Sequence, residues 1–148
     1  MMKALGLDVG DRKIGVAISD SLGYTAQGIT TFRRQTLEND LSVIKTLIRE
    51  YAIGEVVVGL PLQMNGRRSS QTEKILRFCD VLARHLRLPI RTWDERLTTV
   101  QAIKILKKGQ VRRKKRAALI DKVSAVIILQ GYLDRQSILN EGAALHTY

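Results

Sequence analysis

The chain has 148 residues, 45% apolar and 26% charged, a balance that fits one globular domain and excludes a disordered polyelectrolyte. Its 25 Lys and Arg against 14 Asp and Glu give a net charge of +11, which favours polyanionic partners, nucleic acid first. No apolar run reaches about 18 residues, the opening segment is too soon charged for a signal peptide, and Cys79 is the sole cysteine. The expected setting is the cytoplasm, with no membrane span and no disulfide framework.

Residues 3–10 and 13–20 read as two strands joined by a tight polar turn at Asp11-Arg12. In the first, Leu5, Leu7 and Val9 alternate with Ala4, Gly6 and Asp8; in the second, Ile14, Val16 and Ile18 alternate with Gly15, Ala17 and Ser19. Pairing small with small puts Asp8 on a shaved face that a helix or a ligand can approach closely. A third strand near 25–32 extends this meander.

A helix over about 36–51 follows, with Leu37, Leu41, Ile44, Leu47, Ile48 and Tyr51 at helical spacing and Gly54 just past its end. The run Val56-Val57-Val58-Gly59-Leu60 reads as a strand buried on both faces. After an Asn65-Gly66 turn, the capping box Ser70-Gln71-Thr72-Glu73 opens a second helix to about Leu86, and Ile90–Asp94 reads as another strand. A second box, Thr98-Thr99-Val100-Gln101, starts a short helix stopping near Gly109; a long helix covers about Lys114–Leu133. Residues 1–136 are expected to form the domain and 137–148 a loosely ordered tail. Three antiparallel strands feeding parallel strands with helices between them predict a mixed α/β sheet flanked by helices.

Seven bases fall between Lys107 and Arg116: Lys107, Lys108, Arg112, Arg113, Lys114, Lys115 and Arg116. This concentration predicts a clamp on the phosphate backbone. Arg67 and Arg68, just before the second helix, are candidates for a further phosphate contact.

Acids then stand out against this basic background. Asp8 lies inside an otherwise apolar strand, where a charge is costly unless paired or metal-bound. Asp94-Glu95 closes a predicted parallel strand, the edge where α/β sheets build sites. Asp121 lies in the apolar helix with small Ser124 and Ala125 at i+3 and i+4, so that its face can lie over the shaved sheet. Converging carboxylates call for cations, and oxygen-only ligands select Mg²⁺ or Mn²⁺. Successive strand residues face opposite sides, so one of Asp94 and Glu95 is structural; periodicity does not say which.

The blocks LDVGDRKIGVAISD (7–20), VVVGLPLQMNG (56–66), WDERLTT (93–99) and LIDKVSAVIIL (119–129) resemble, in order and spacing over roughly residues 3–135, the four signature blocks of the YqgF family. These are Holliday-junction-resolvase-like proteins regarded as nucleases of pre-16S rRNA. The resemblance implies a ribonuclease-H-like fold with catalytic, metal-holding acids at Asp8, Glu95 and Asp121, leaving Asp94 to orient them. It implies hydrolysis of phosphodiester bonds in structured nucleic acid, an RNA precursor being favoured and branched DNA the alternative, with monomer and homodimer both open. His85 and His146 are expected to take no part. The opening block is also similar to the first phosphate loop of actin-like ATPases, which need a second such domain to close over ATP. A non-catalytic nucleic-acid-binding domain is the other rival; against it, pure binders have no reason to collect carboxylates near phosphate.

Overall fold

The computed structural model describes residues 2–100, Lys104 and 114–145, without the side chains of 114–121 and 141–145. Strands β1 (Lys3–Val9), β2 (Lys13–Ser19) and β3 (Ala26–Arg33) form the antiparallel meander. Helix α1 (Leu37–Glu50) leads to β4 (Ile53–Leu60), and α2 (Ser70–Leu86) leads to β5 (Ile90–Asp94). A single 3-10 turn, Glu95–Leu97, follows, and α3 (Lys114–Leu145) closes the chain. The sheet order is β3-β2-β1-β4-β5, with β4 parallel to both β1 and β5. This is the expected mixed sheet.

Alternation along the strands sorts the two faces. Leu5, Leu7, Val9, Ile14, Val16 and Ile18 point to one face and meet Leu41, Ile44 and Leu47 of α1 and Ile75, Phe78, Cys79 and Leu82 of α2. The opposite face presents Ala4, Ala17, Val57 and Trp93 to Ala125, Ile128, Leu129, Tyr132 and Leu133 of α3. The register pairs Gly6 with Ala17 and Asp8 with Gly15, so small side chains do lie side by side. A Cβ at Gly6 would stand 2.7 Å from Leu129 Cβ, closer than carbon atoms pack, and one at Gly59 would strike Ile128. The helix rests directly on sheet backbone. Burying Ile128 and Leu129 completely contributes about 1.5–3 kcal/mol each.

Several boundaries differ from expectation, each for a local reason. The α2 box is built one residue earlier: Ser69 caps, and Thr72 returns its hydroxyl to the Ser69 amide and donates to the Pro61 carbonyl, tying the helix start to the end of β4. Helix α1 turns into β4 through a left-handed residue at Ala52 (φ 52°), and Gly54 belongs to the strand. Strand β4 begins at Ile53, which brings Glu55 into the sheet. Helix α3 runs to Leu145; beyond Leu133 it leaves the sheet, with Ile138 and Leu139 exposed, so no apolar period marks its course. Val100 and Lys104 are helical, in keeping with a helix starting near Thr99; the remainder of that element, to Gly109, lies outside the described residues.

Candidate active site at the carboxyl edge of the sheet

The parallel strands β1, β4 and β5 end on one edge, and two of the expected acids, Asp8 and Glu95, lie there. Asp8 is the penultimate residue of β1 and points to the α3 face, 6% exposed. Glu95 begins the turn after β5 and is fully buried. Gly59, on the strand between them, has no side chain to separate them: a Cβ there would lie 3.4 Å from Glu95 Cδ.

Asp94 shapes the turn that aims Glu95. Its Oδ1 accepts from the Arg96 amide at 3.0 Å, and the Arg96 guanidinium closes on both carboxylate oxygens (2.7–3.1 Å). These bonds from Arg96 hold the Asp94 carboxyl below its usual range despite some burial. Arg96 also donates to the Met64 carbonyl, fastening the 61–69 loop to the site edge. Arg67 and Arg68 stand exposed on that loop, Arg68 3.7 Å from Glu73. The turn separates the two acids: Asp94 caps it and is taken up by its bonds, while Glu95, its first residue, points to the interior.

The group between Asp8 and Glu95 is one that sequence reasoning missed. Lys104 Nζ lies 2.7 Å from Asp8 Oδ1 and is hydrogen-bonded to Glu95 Oε1. Burial pushes the Glu95 carboxyl up, Lys104 pulls it down, and the neighbouring charge of Asp8 raises it again; the net shift is upward. Burial alone would lower the Lys104 ammonium, but Asp8 and Glu95 outweigh it and hold its pKa above the ordinary lysine value. Glu95 Oε2 is buried and has no hydrogen-bond partner among the described residues. An orphaned carboxylate oxygen beside a second carboxylate is a donor set suited to a hard divalent cation.

The other expected residues fall into place unevenly. Asp121 lies in α3, one turn before Ala125; its side chain is outside the described residues. Lys107, Lys108, Arg112 and Arg113 lie wholly outside them, and Lys114, Lys115 and Arg116 are helical with side chains not described. Among the described residues, no three metal-ligating side chains form a cluster. Trp93 is core, packed against Gly131, and His85 is an exposed residue of α2. A faint signal for Lys104 did exist: it stands four residues after the buried Val100, hence on the inward face of that helix.

Comparison with known proteins identifies the family and the fold. A family model described as "RuvX: Holliday junction resolvase" matches residues 2–135. The chain belongs to the RuvX family. A relative from Clostridium botulinum named "Putative pre-16S rRNA nuclease" is 52% identical over 136 residues, covering 92% of this chain and 99% of its own. One from Clostridium tetani with the same name is 53% identical over 133 residues, covering 90% and 96%. Among solved structures, Thermus thermophilus RuvC in complex with a Holliday junction superposes with a TM-score of 0.55 at 13% identity, covering 93% of this chain and 97% of that one. The yeast mitochondrial Holliday junction resolvase gives 0.52 at 12% identity, covering 93% and 80%. These likenesses show that this RuvX chain has the resolvase, ribonuclease-H-like fold.

Proposed function

We propose that this chain is a divalent-metal-dependent endonuclease, a phosphodiester hydrolase that trims the 5′ end of pre-16S rRNA in the cytoplasm. The observation that carries the reading is the meeting of Asp8 and Glu95 at the carboxyl edge, with one buried Glu95 oxygen that has no partner among the described residues. Asp8, Glu95 and Asp121 are the proposed metal holders, with Mg²⁺ or Mn²⁺ as the ion. Position 121 supports its own candidacy by register. Ala125 and Leu129 lie over Gly6 while Tyr132 reaches Glu55 near the start of β4, so α3 runs back toward the Asp8 edge as its numbering falls. One turn before Ala125 stands Asp121, about 6 Å further along that course.

A bound divalent ion would supply an activated water and stabilise the leaving oxygen. The chain's own contribution is to hold the carboxylates on rigid strand ends, to exclude bulk water from Glu95 and to let Asp94 and Arg96 fix the turn. Arg67, Arg68 and the bases from Lys107 to Arg116 are the proposed phosphate contacts. The names of the close relatives favour an RNA precursor. The resolvase reading stays as the second, favoured by the family's description and by the fold of its neighbours. It would call for a symmetric dimer with two sites on opposed strands.

The test is cleavage by purified protein of pre-16S rRNA ends, four-way DNA junctions and single strands, with Mg²⁺, Mn²⁺ or EDTA. Metal-dependent cutting of the rRNA end supports the proposal; preference for junctions transfers it to the resolvase reading. Binding without cutting anywhere would leave only a nucleic-acid-binding domain.

A further inference from the structure

A lysine lodged between two carboxylates that are themselves proposed to hold a metal has a consequence of its own. Lys104 Nζ contacts Asp8 Oδ1 and Glu95 Oε1 at once, and its side chain retains 30% exposure. We propose that Lys104 is the site's resident counter-ion: its ammonium draws Asp8 and Glu95 together before a divalent cation binds and is displaced when the cation enters. The inference rests on the metal-nuclease reading above and adds to it a residue that controls access of the ion.

Lysine and metal compete for the same lone pairs. A Mg²⁺-sized ion contacts carboxylate oxygens at about 2.0–2.1 Å, which an ammonium bonded to those oxygens blocks sterically and by repulsion. Lysine suits the role because its charge is compact and its four-carbon stem flexible. The exposed part of the side chain gives it a way out. Nor does Lys104 complete the site, because Glu95 Oε2 remains buried with no partner among the described residues. A cation of higher charge that engages this second oxygen gains what the lysine leaves unused. Without Lys104, two buried carboxylates would face each other uncompensated, so the residue also protects the fold until metal arrives.

The experiment uses the full chain with Mn²⁺ as probe. Its affinity is measured by calorimetry for wild type, Lys104→Ala, Lys104→Gln and Lys104→Arg, alongside melting temperature without metal. The two neutral variants should bind Mn²⁺ about tenfold tighter or more, a difference of about 1.4 kcal/mol, while melting lower in its absence. Lys104→Arg should stay near wild type. A lysine with a merely structural role would not tighten metal binding on removal. A second measurement needs no variant: Mn²⁺ should raise the rate at which N-hydroxysuccinimide acetate modifies Lys104 in wild type. Unchanged or weaker Mn²⁺ binding by both neutral variants, with wild type binding normally, overturns the role of Lys104 alone; so does unchanged acetylation. Absence of Mn²⁺ binding in every form overturns the metal-nuclease reading together with it.

Discussion

Glu55 and Glu95 lie at opposite ends of the parallel strands, each buried and each facing a cation, yet they are furnished differently. At the amino end, Glu55 Oε2 accepts from Arg91 Nε and from the Tyr132 hydroxyl, both at 3.0 Å, and the cluster joins β4, β5 and α3. At the carboxyl end, Glu95 is more deeply buried, shares Lys104 with Asp8 and, among the described residues, has one oxygen without a partner. Burial of a carboxylate therefore does not mark a functional site. What separates the two is how their oxygens are engaged: Glu55 is tied by two donors into a cluster that holds structure, whereas Glu95 keeps a buried oxygen with no partner among the described residues, available to a ligand.

Amide substitutions should break the symmetry most sharply. Asp8→Asn and Glu95→Gln are each expected to cut the cleavage rate by more than about a hundredfold, beyond what outer-shell changes cost at metal sites. Glu95→Gln should leave the metal-free melting temperature unchanged or raised, since it removes a buried charge. Asp94→Asn should lose less activity than Glu95→Gln, because its carboxylate serves the turn. Equal losses would mean that the turn geometry, and not Glu95, limits the rate.

Glu55→Gln should do the reverse, destabilising by about 1–3 kcal/mol in denaturant melts through its effect on Arg91 and Tyr132 while cleavage per folded molecule stays normal. Loss of cleavage with stability intact would erase the distinction between the two ends.

Gly6→Ala tests the support common to both ends. Its Cβ would press on Leu129, and overpacking of this kind costs about 1–3 kcal/mol. Because α3 carries Asp121 as well as Tyr132, both stability and cleavage should fall; a change in stability alone would argue against a role for α3 in catalysis.

The smallest expected effect is on alkaline stability. Burial, reinforced by the negative charge of Glu55, raises Tyr132 from 10.0 to about 12. A group whose pKa is higher in the folded state contributes stability that is present below its unfolded value and lost as pH rises through its folded one. Wild type should therefore lose stability between pH 10 and 12, and Tyr132→Phe should flatten that slope at a cost of about 1 kcal/mol near neutrality. Identical slopes would mean that the phenol ionises freely in the fold.

The strands were legible because burial on two faces leaves long apolar runs with clear alternation, and Asp8 was conspicuous as the charge within one. Glu55 is less conspicuous, because the continuous valines mark β4 only from Val56 whereas the strand begins at Ile53. Lys104 was hidden for a different reason. In a chain with 25 bases and a run of them from Lys107 onward, one more lysine carries no signal of its own. Only its place one turn after Val100 sets it apart, and its two partners are separated from each other by the whole sheet-forming sequence. Arg96 was hidden likewise, its contact with Met64 joining two loops that only the fold brings together.

The close seat of α3 also limits how the molecule can move. Moving a helix along by one residue rotates its side chains by about 100° and advances them about 1.5 Å. With Leu129 against Gly6, Ile128 against Gly59 and Trp93 against Gly131, such a step would drive side chains into backbone. The helix behaves as a rail fixed to its bed, with no sliding mode available to respond to substrate. Amide hydrogens in the middle of α3 and in β1 should exchange at the rate set by global unfolding.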